Sequence, residues 1–195
     1  ISKLIIGYDH HFGKNREGNI VQLTEYSHLY EFTVEEIPAQ DIDDVSVSST
    51  KIRTALANGN LQTANNYLGY PFMLSGTVVN GKQLGGKIGY PTANINIEET
   101  YKLIPKTGVY IVLSKIQGAN VYGMMNIGNR PTIGGDYQTI EVHFFDFNAD
   151  LYHQQLTINL LYFLRDEQKF DSIEDLMLQL KKDEQTARNF IEKNL

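Results

Sequence analysis

Residues 76–94 read Gly76-Thr-Val-Val-Asn-Gly81-Lys-Gln-Leu-Gly85-Gly86-Lys87-Ile-Gly89-Tyr90-Pro91-Thr92-Ala-Asn94, and the rest of the chain is read outward from them. An apolar strand-like run enters a loop crowded with glycines and leaves it through a Pro-Thr-Ala-Asn exit. Glycine lacks a Cβ, so such a loop bends sharply and can lay its N–H groups against a ligand. Successive N–H groups in these turns form concave nests for phosphate oxygens. Gly76, Gly81, Gly85 and Gly89, with the cation of Lys87, are therefore candidate phosphate-binding residues. Pro91 has a fixed φ and biases Tyr90 toward extended geometry, which stiffens the exit. Thr92 and Asn94, two apart on an extended segment, face the same side. Their hydroxyl and amide oxygens are hard neutral ligands, suited to a magnesium ion held among phosphates. Glycine richness alone equally fits a polar-ended hairpin. The pattern is neither the Walker loop nor the dinucleotide fingerprint, because no Gly-Lys-Ser/Thr opens a helix.

From Met73 onward the chain reads as short strands separated by turns: Met73–Val79, Ala93–Ile97, Gly108–Ile116, Val121–Ile127, Thr139–Phe147 and Gln155–Leu164. Six strands without long intervening helices predict antiparallel pairing, and a short sheet manages its edges best by closing into a barrel. In Thr139–Phe147, residues Ile140, Val142 and Phe144 face one way, and Glu141, His143 and Phe145 the other. A glutamate in an aromatic-rich strand is costly unless exposed, paired or put to use. Ser172–Ile191 reads as an amphipathic helix with a Ser172/Asp175 capping box. Its apolar stripe is Ile173, Leu176, Met177, Leu180, Ala187, Phe190 and Ile191, and Lys181, Lys182, Asp183 and Glu184 read as its solvated face.

Residues 1–68 alternate between strand and helix: strands at Lys3–Tyr8 and Glu31–Ile37, helices at Ile20–Tyr30, to Ala57, and at Leu61–Leu68. Ser48 or Ser49 can cap the second helix, whose free N–H groups beside Lys51 and Arg53 would make an anion site. A plain N-cap with solvated charges fits the same spacing. Gly69-Tyr-Pro71 breaks the pattern, which predicts a domain boundary there: residues 1–68, then 69–195.

The 195 residues carry a formal net charge of −6, with 42% hydrophobic and 21% charged residues, the balance of a globular chain. The acidic balance argues against a nucleic-acid partner, including an oligonucleotide-binding barrel. No apolar run is long enough to span a bilayer, so no membrane partner is expected. The absence of cysteine excludes disulfides and thiolate metal sites and fits a cytoplasmic protein. The chain begins without methionine in a strand-like segment and reads as a piece of something longer.

Four segments together carry a family resemblance. The glycine loop with Gly-Tyr-Pro-Thr-Ala-Asn resembles the nucleotide-binding segment of riboflavin kinases. Glu141-Val-His-Phe-Phe-Asp-Phe, followed by Asp150-Leu-Tyr152, looks like the strand that carries their catalytic glutamate. Asn126-Ile-Gly-Asn-Arg130-Pro-Thr132 resembles their Asn-Ile-Gly-x-x-Pro-Thr segment, where Arg130 reads equally as a phosphate contact or a solvated turn residue. Phe163–Phe170 resembles their loop before the last helix, on the flavin side, which makes Arg165 a flavin-side candidate. Upstream, Gly7–Gly18 and Ser48-Ser49-Thr50-Lys51-Ile52-Arg53 resemble the second half of the adenylyltransferase module of bacterial bifunctional riboflavin kinase/FAD synthetases.

The resemblance implies an α+β chain: a C-terminal six-stranded antiparallel β-barrel with a C-terminal helix, preceded by part of an α/β nucleotidyltransferase domain. It implies transfer of the ATP γ-phosphate to the riboflavin 5′-hydroxyl, giving FMN and ADP, with Mg²⁺, and Glu141 as general base. Ser49, Thr50 and Arg53 would be the adenylyltransferase remnant. Two departures bear on this. Gly86 stands where the family usually has Arg, leaving Lys87 as the candidate replacement charge, so a non-catalytic flavin- or nucleotide-binding barrel is the alternative. The His-x-Gly-His segment of the adenylyltransferase is absent among His10, His11, His28, His143 and His153, so adenylyl transfer is not expected from this chain by itself.

Overall fold

The computed structural model describes residues 1–39, 41–42, 45–81, 84–132 and 135–194. They divide into two compact units, Ile1–Ser48 and Ser49–Leu195.

In the first unit, β1 (Lys3–Gly7) leads into α1 (Ile20–Tyr30) and then β2 (Thr33–Ile37). β1 and β2 pair in parallel, from Lys3 opposite Thr33 to Gly7 opposite Ile37, so α1 is their crossover. Asn19 and Gln22 form a capping box at the start of α1. A short antiparallel pair, β3 (Asp41–Ile42) and β4 (Val45–Ser46), completes the unit. Ile5, Val21, Leu29 and Ile37 are exposed.

The second unit opens with α2 (Ser49–Ala57) and α3 (Leu61–Leu68), followed by the strands β5 (Met73–Val79), β6 (Ala93–Asn96), β7 (Gly108–Ile116), β8 (Ala119–Thr132), β9 (Gly135–Phe144) and β10 (Gln155–Arg165). A one-turn helix, α4 (Leu84–Lys87), sits between β5 and β6, and α5 (Ile173–Asn194) ends the chain. The six strands close into a barrel in the order β10-β5-β6-β9-β8-β7, and every pairing in it is antiparallel. Closure leaves no free sheet edge.

Period-2 alternation sends one face of each strand into the barrel. Leu74, Val78, Ile95, Tyr110, Val112, Met125, Ile140, Val142, Ile158 and Leu160 fill the interior. The Tyr110 hydroxyl donates to the Lys106 carbonyl, and burial pushes its pKa up. The outer faces of β7 and β8 are also buried, through Val109, Ile111 and Met124, together with Phe145 just after β9, because α5 packs there with Ala187, Phe190 and Ile191. A strand covered on both faces loses its alternation, which is why Gly108–Leu113 reads as a continuous apolar run. Ile173 and Met177, expected in the helix stripe, are exposed, and Asp183, expected on the solvated face, is 3% exposed.

The boundary expected at 68/69 follows the change from helical to strand pattern, whereas the compact units divide at 48/49. Tertiary packing accounts for the difference. Ala55, Leu56, Leu61 and Ala64 belong to the barrel core, and the Lys106 N–H donates to the Leu56 carbonyl. Gly69, at φ 76°, ends α3 in the left-handed conformation that glycine adopts without strain. Asn65 then pins the helix in place. Its Nδ2 donates to the Leu160 carbonyl at 2.9 Å, and its Oδ1 accepts from the Phe72 N–H at 2.8 Å. Replacing Asn65 with Ala leaves both backbone groups without this partner. It is expected to cost about 1–3 kcal/mol, read as a lower urea midpoint at unchanged slope.

Candidate functional site

Glu141 sits on β9 in register with Asn94 of β6 on one side and Asn126 of β8 on the other. Neighbours in register share a face. Ile140 and Val142 take the inner face, so the row Asn94–Glu141–Asn126 lies on the outer one. The Thr92 hydroxyl donates to Glu141 Oε2 at 3.2 Å.

Two cavities meet at this point. One, of about 270 Å³, runs between the outer barrel face, the loop exit and α5; Tyr90, Thr92, Asn126, Glu141, Glu167 and Leu180 are among its lining residues. The other, of about 320 Å³, lies across Pro91–Ala93 and is walled by Val78, Phe144, Phe147 and Leu151. Thr92 lines both, so a carboxylate and a hydroxyl stand where the cavities adjoin. The arrangement can hold two small molecules on either side of Thr92 with a proton acceptor between them.

The glycine loop differs in detail from a continuous nest. Leu84–Lys87 forms the single turn α4, and the Ile88 and Tyr90 N–H groups return to the Gly85 carbonyl. Gly76 lies within β5, where a Cβ would collide with the Asn96 carbonyl, so its smallness serves strand packing away from the loop. At Gly81 a Cβ would collide with the Asn94 side-chain amide, which places Asn94 against the loop backbone. Gly81→Ala is expected to keep the fold, since the end of the Asn94 side chain can swing aside. The displaced amide should loosen the backbone that it now contacts, read as faster hydrogen–deuterium exchange at residues 79–81. Gly86 faces open space and Lys87 is exposed beside it, so a long cationic side chain at position 86 meets no obstruction.

Arg165 lines the cavity of about 270 Å³, but its guanidinium is engaged. Nε donates to both Asp183 oxygens at 3.0 Å, one terminal N–H group donates to Asp183 Oδ2 at 2.7 Å, and the other donates to the Asp166 carbonyl at 2.9 Å. Gln179 also donates to Asp183. Arg165 thus ties β10 to α5 and shapes the cavity wall. Ser49, Thr50 and Arg53 lie in the first turns of α2, exposed, and line neither cavity. The Arg130 side chain lies outside the described residues.

Tyr90, Glu167, Asp183 and Glu184 were not among the site residues expected from the sequence. The Tyr90 hydroxyl donates to Glu184 Oε2 at 3.1 Å, and burial, then this carboxylate, raises its pKa. Arg188 bridges Glu184 to Asp146 and lies 4.6 Å from the Phe145 ring centroid. The Arg188 hydrogen bond holds the Asp146 carboxyl below its usual range. One signal for Asp183 was available: Leu176, Leu180, Asp183 and Ala187 are spaced four, three and four apart, so an acid occupies a core position of the stripe.

This geometry is that of a closed barrel with paired cavities and a carboxylate at their junction, and the comparisons give it a family. Residues 68–191 match the sequence model of the riboflavin kinase family, to which the chain belongs, and residues 1–51 match that of FAD synthetase. The chain is 42% identical over 188 residues to a bifunctional riboflavin kinase/FMN adenylyltransferase of Haemophilus influenzae, covering 96% of this chain and 60% of that protein. It is 40% identical over 195 residues to the protein of the same name from Listeria monocytogenes, covering 99% and 61%. A crystal structure of a Streptococcus pneumoniae protein described as a macrolide-efflux protein superimposes with a TM-score of 0.81 at 35% identity, over 95% of this chain and 60% of that one. The chain therefore spans about 60% of the length of the curated relatives it matches. Among the described residues, no helix is long and apolar enough to cross a membrane.

Proposed function

We propose that the barrel unit is an ATP:riboflavin 5′-phosphotransferase. The observation that carries this reading is Thr92 and Glu141, hydrogen-bonded at the junction of two cavities. The cavity of about 270 Å³, walled by Tyr90 and by Leu176 and Leu180 of α5, suits a flat aromatic acceptor with a polar chain. The cavity across Pro91–Ala93 suits the nucleotide.

Phosphoryl transfer asks the protein for in-line positioning and charge neutralisation rather than covalent help. Glu141 accepts the proton of the acceptor hydroxyl as its oxygen bonds to the γ-phosphorus and the bond to the ADP oxygen breaks. In this reading Gly81, Gly85 and Gly89 would lie along the phosphates, and Lys87 would add positive charge. α5 closes the acceptor side against water, which strengthens each electrostatic contact inside.

The donor set fits Mg²⁺. A hydroxyl has one proton and two lone pairs. The Thr92 hydroxyl donates its hydrogen bond to Glu141, which leaves its lone pairs for a cation, and Asn94 offers an amide oxygen. Among the described residues no cluster of three or more His, Cys, Asp or Glu side chains is built to hold a metal, in keeping with an ion bound largely by phosphates and water. When bound, the ion would neutralise phosphate charge. A protein of the relatives' full length would pair this activity with adenylyl transfer to FMN, the second activity in their names.

The test is the purified chain with ATP, Mg²⁺ and riboflavin, its products separated by chromatography. FMN and ADP in equal amounts are expected. Riboflavin binding without ADP release would replace the kinase with a flavin-binding barrel.

A further inference from the structure

β6 and β9 form the shortest seam of the barrel: in the described residues their register holds Ala93 opposite Val142 and Asn94 opposite Glu141. The ladder stops one residue short of Thr92. There the chain passes through Pro91, which has no N–H to extend the pairing. A side chain takes over where the backbone stops. His143 Nδ1 lies 2.8 Å from the Pro91 carbonyl oxygen, and since a carbonyl only accepts, Nδ1 carries the proton and donates. The same ring meets Tyr90 edge-on at 5.1 Å and Phe145 edge-on at 5.9 Å. Tyr90 and Phe145 are held in turn by Glu184 and Arg188 of α5. One imidazole thus gathers the loop exit, the strand that carries Glu141 and the final helix.

We infer that His143 is a positioning residue. Its Nδ1–H···O=C bond fixes the Pro91–Thr92 peptide and thereby aims the Thr92 hydroxyl at Glu141 and at the nucleotide side. The inference rests on the phosphotransferase reading for its kinetic consequence but not for its structural one. His143 touches no reacting atom in this scheme. Its effect passes through Thr92, two residues from Asn94 on the same strand face, so losing it should disturb turnover more than acceptor affinity.

Two variants of the full chain test this. His143→Asn puts an amide N–H close to the place of Nδ1 and keeps the bond to Pro91, whereas His143→Leu fills similar space without a donor. His143→Leu is expected to lower kcat by about 10–100-fold with the riboflavin Michaelis constant within about threefold, the scale of a small misplacement of positioned groups. His143→Asn should recover kcat to within about threefold of wild type at a melting temperature close to that of the Leu variant. Hydrogen–deuterium exchange over residues 88–95 should accelerate in His143→Leu and stay near wild type in His143→Asn. Equal exchange in both variants, or equal kcat in both, would overturn the inference and leave His143 a packing residue. If the wild-type chain makes no FMN, the kinase reading fails, and the exchange comparison alone still decides whether His143 holds the loop exit.

Discussion

Replacing Glu141 with Gln is expected to lower kcat by about 10²–10⁴-fold, the usual scale of general-base catalysis, with little change in either Michaelis constant. Glutamine matches the shape of glutamate, and its carbonyl oxygen still accepts from the Thr92 hydroxyl, whose present partner is Glu141 Oε2. The strand should be undisturbed, because Ile140 and Val142 on the opposite face carry its burial and the ladders to Asn94 and Asn126 are backbone. What disappears is the capacity to take a proton from the acceptor hydroxyl. An equal fall in kcat and kcat/KM would mark an interaction made in the transition state alone. The measurement is initial FMN formation at saturating ATP and Mg²⁺. Turnover within a few-fold of wild type would remove Glu141 as the base.

The largest effect on stability is expected at Asp183. Its side chain is 4% exposed and that of its partner Arg165 17%, and the guanidinium grips both carboxylate oxygens. Asp183→Ala leaves that cation half-sequestered without its counter-charge, and also strips Gln179 of its acceptor. Removing one partner of a buried pair costs about 3–5 kcal/mol, which in a unit of this size lowers Tm by roughly 6–20 °C. Replacing both partners, Arg165→Met with Asp183→Leu, should recover most of the loss, since the penalty belongs to the stranded charge rather than to the pair. Differential scanning calorimetry on wild type, single and double variants reads this directly. A single variant as stable as wild type would mean that water reaches Arg165 freely. Because both residues line the cavity proposed for the acceptor, the single variant should also raise the riboflavin Michaelis constant, which separates the wall formed by α5 from the proton transfer proposed for Glu141.

Much of the fold could be read before any tertiary contact was known, because short-range periodicity carries it. The alternation Ile140/Val142/Phe144 against Glu141/His143/Phe145 assigned the inner and outer faces of β9 correctly, since successive side chains of a strand must point to opposite sides. Gly108–Ile116 and Met73–Val79 were bounded to the residue by turn signals on either side.

What the amino-acid order determined by itself was therefore the six barrel strands, the presence of the final helix and the alternation of inner and outer side chains along β9. Three things came only from the closed structure. Thr92 and Glu141 are 49 positions apart, and their 3.2 Å contact exists because β6 and β9 are brought together by barrel closure. Asp183 looked like one more charge in a polar run until α5 docked and Arg165 reached it from β10. α2 and α3 read as the end of an α/β region until Leu56, Leu61 and Asn65 attached them to the barrel. In each case the deciding term is a pairing between residues remote in the chain, which no local propensity encodes and which appears only once ladder register and core packing have selected one arrangement.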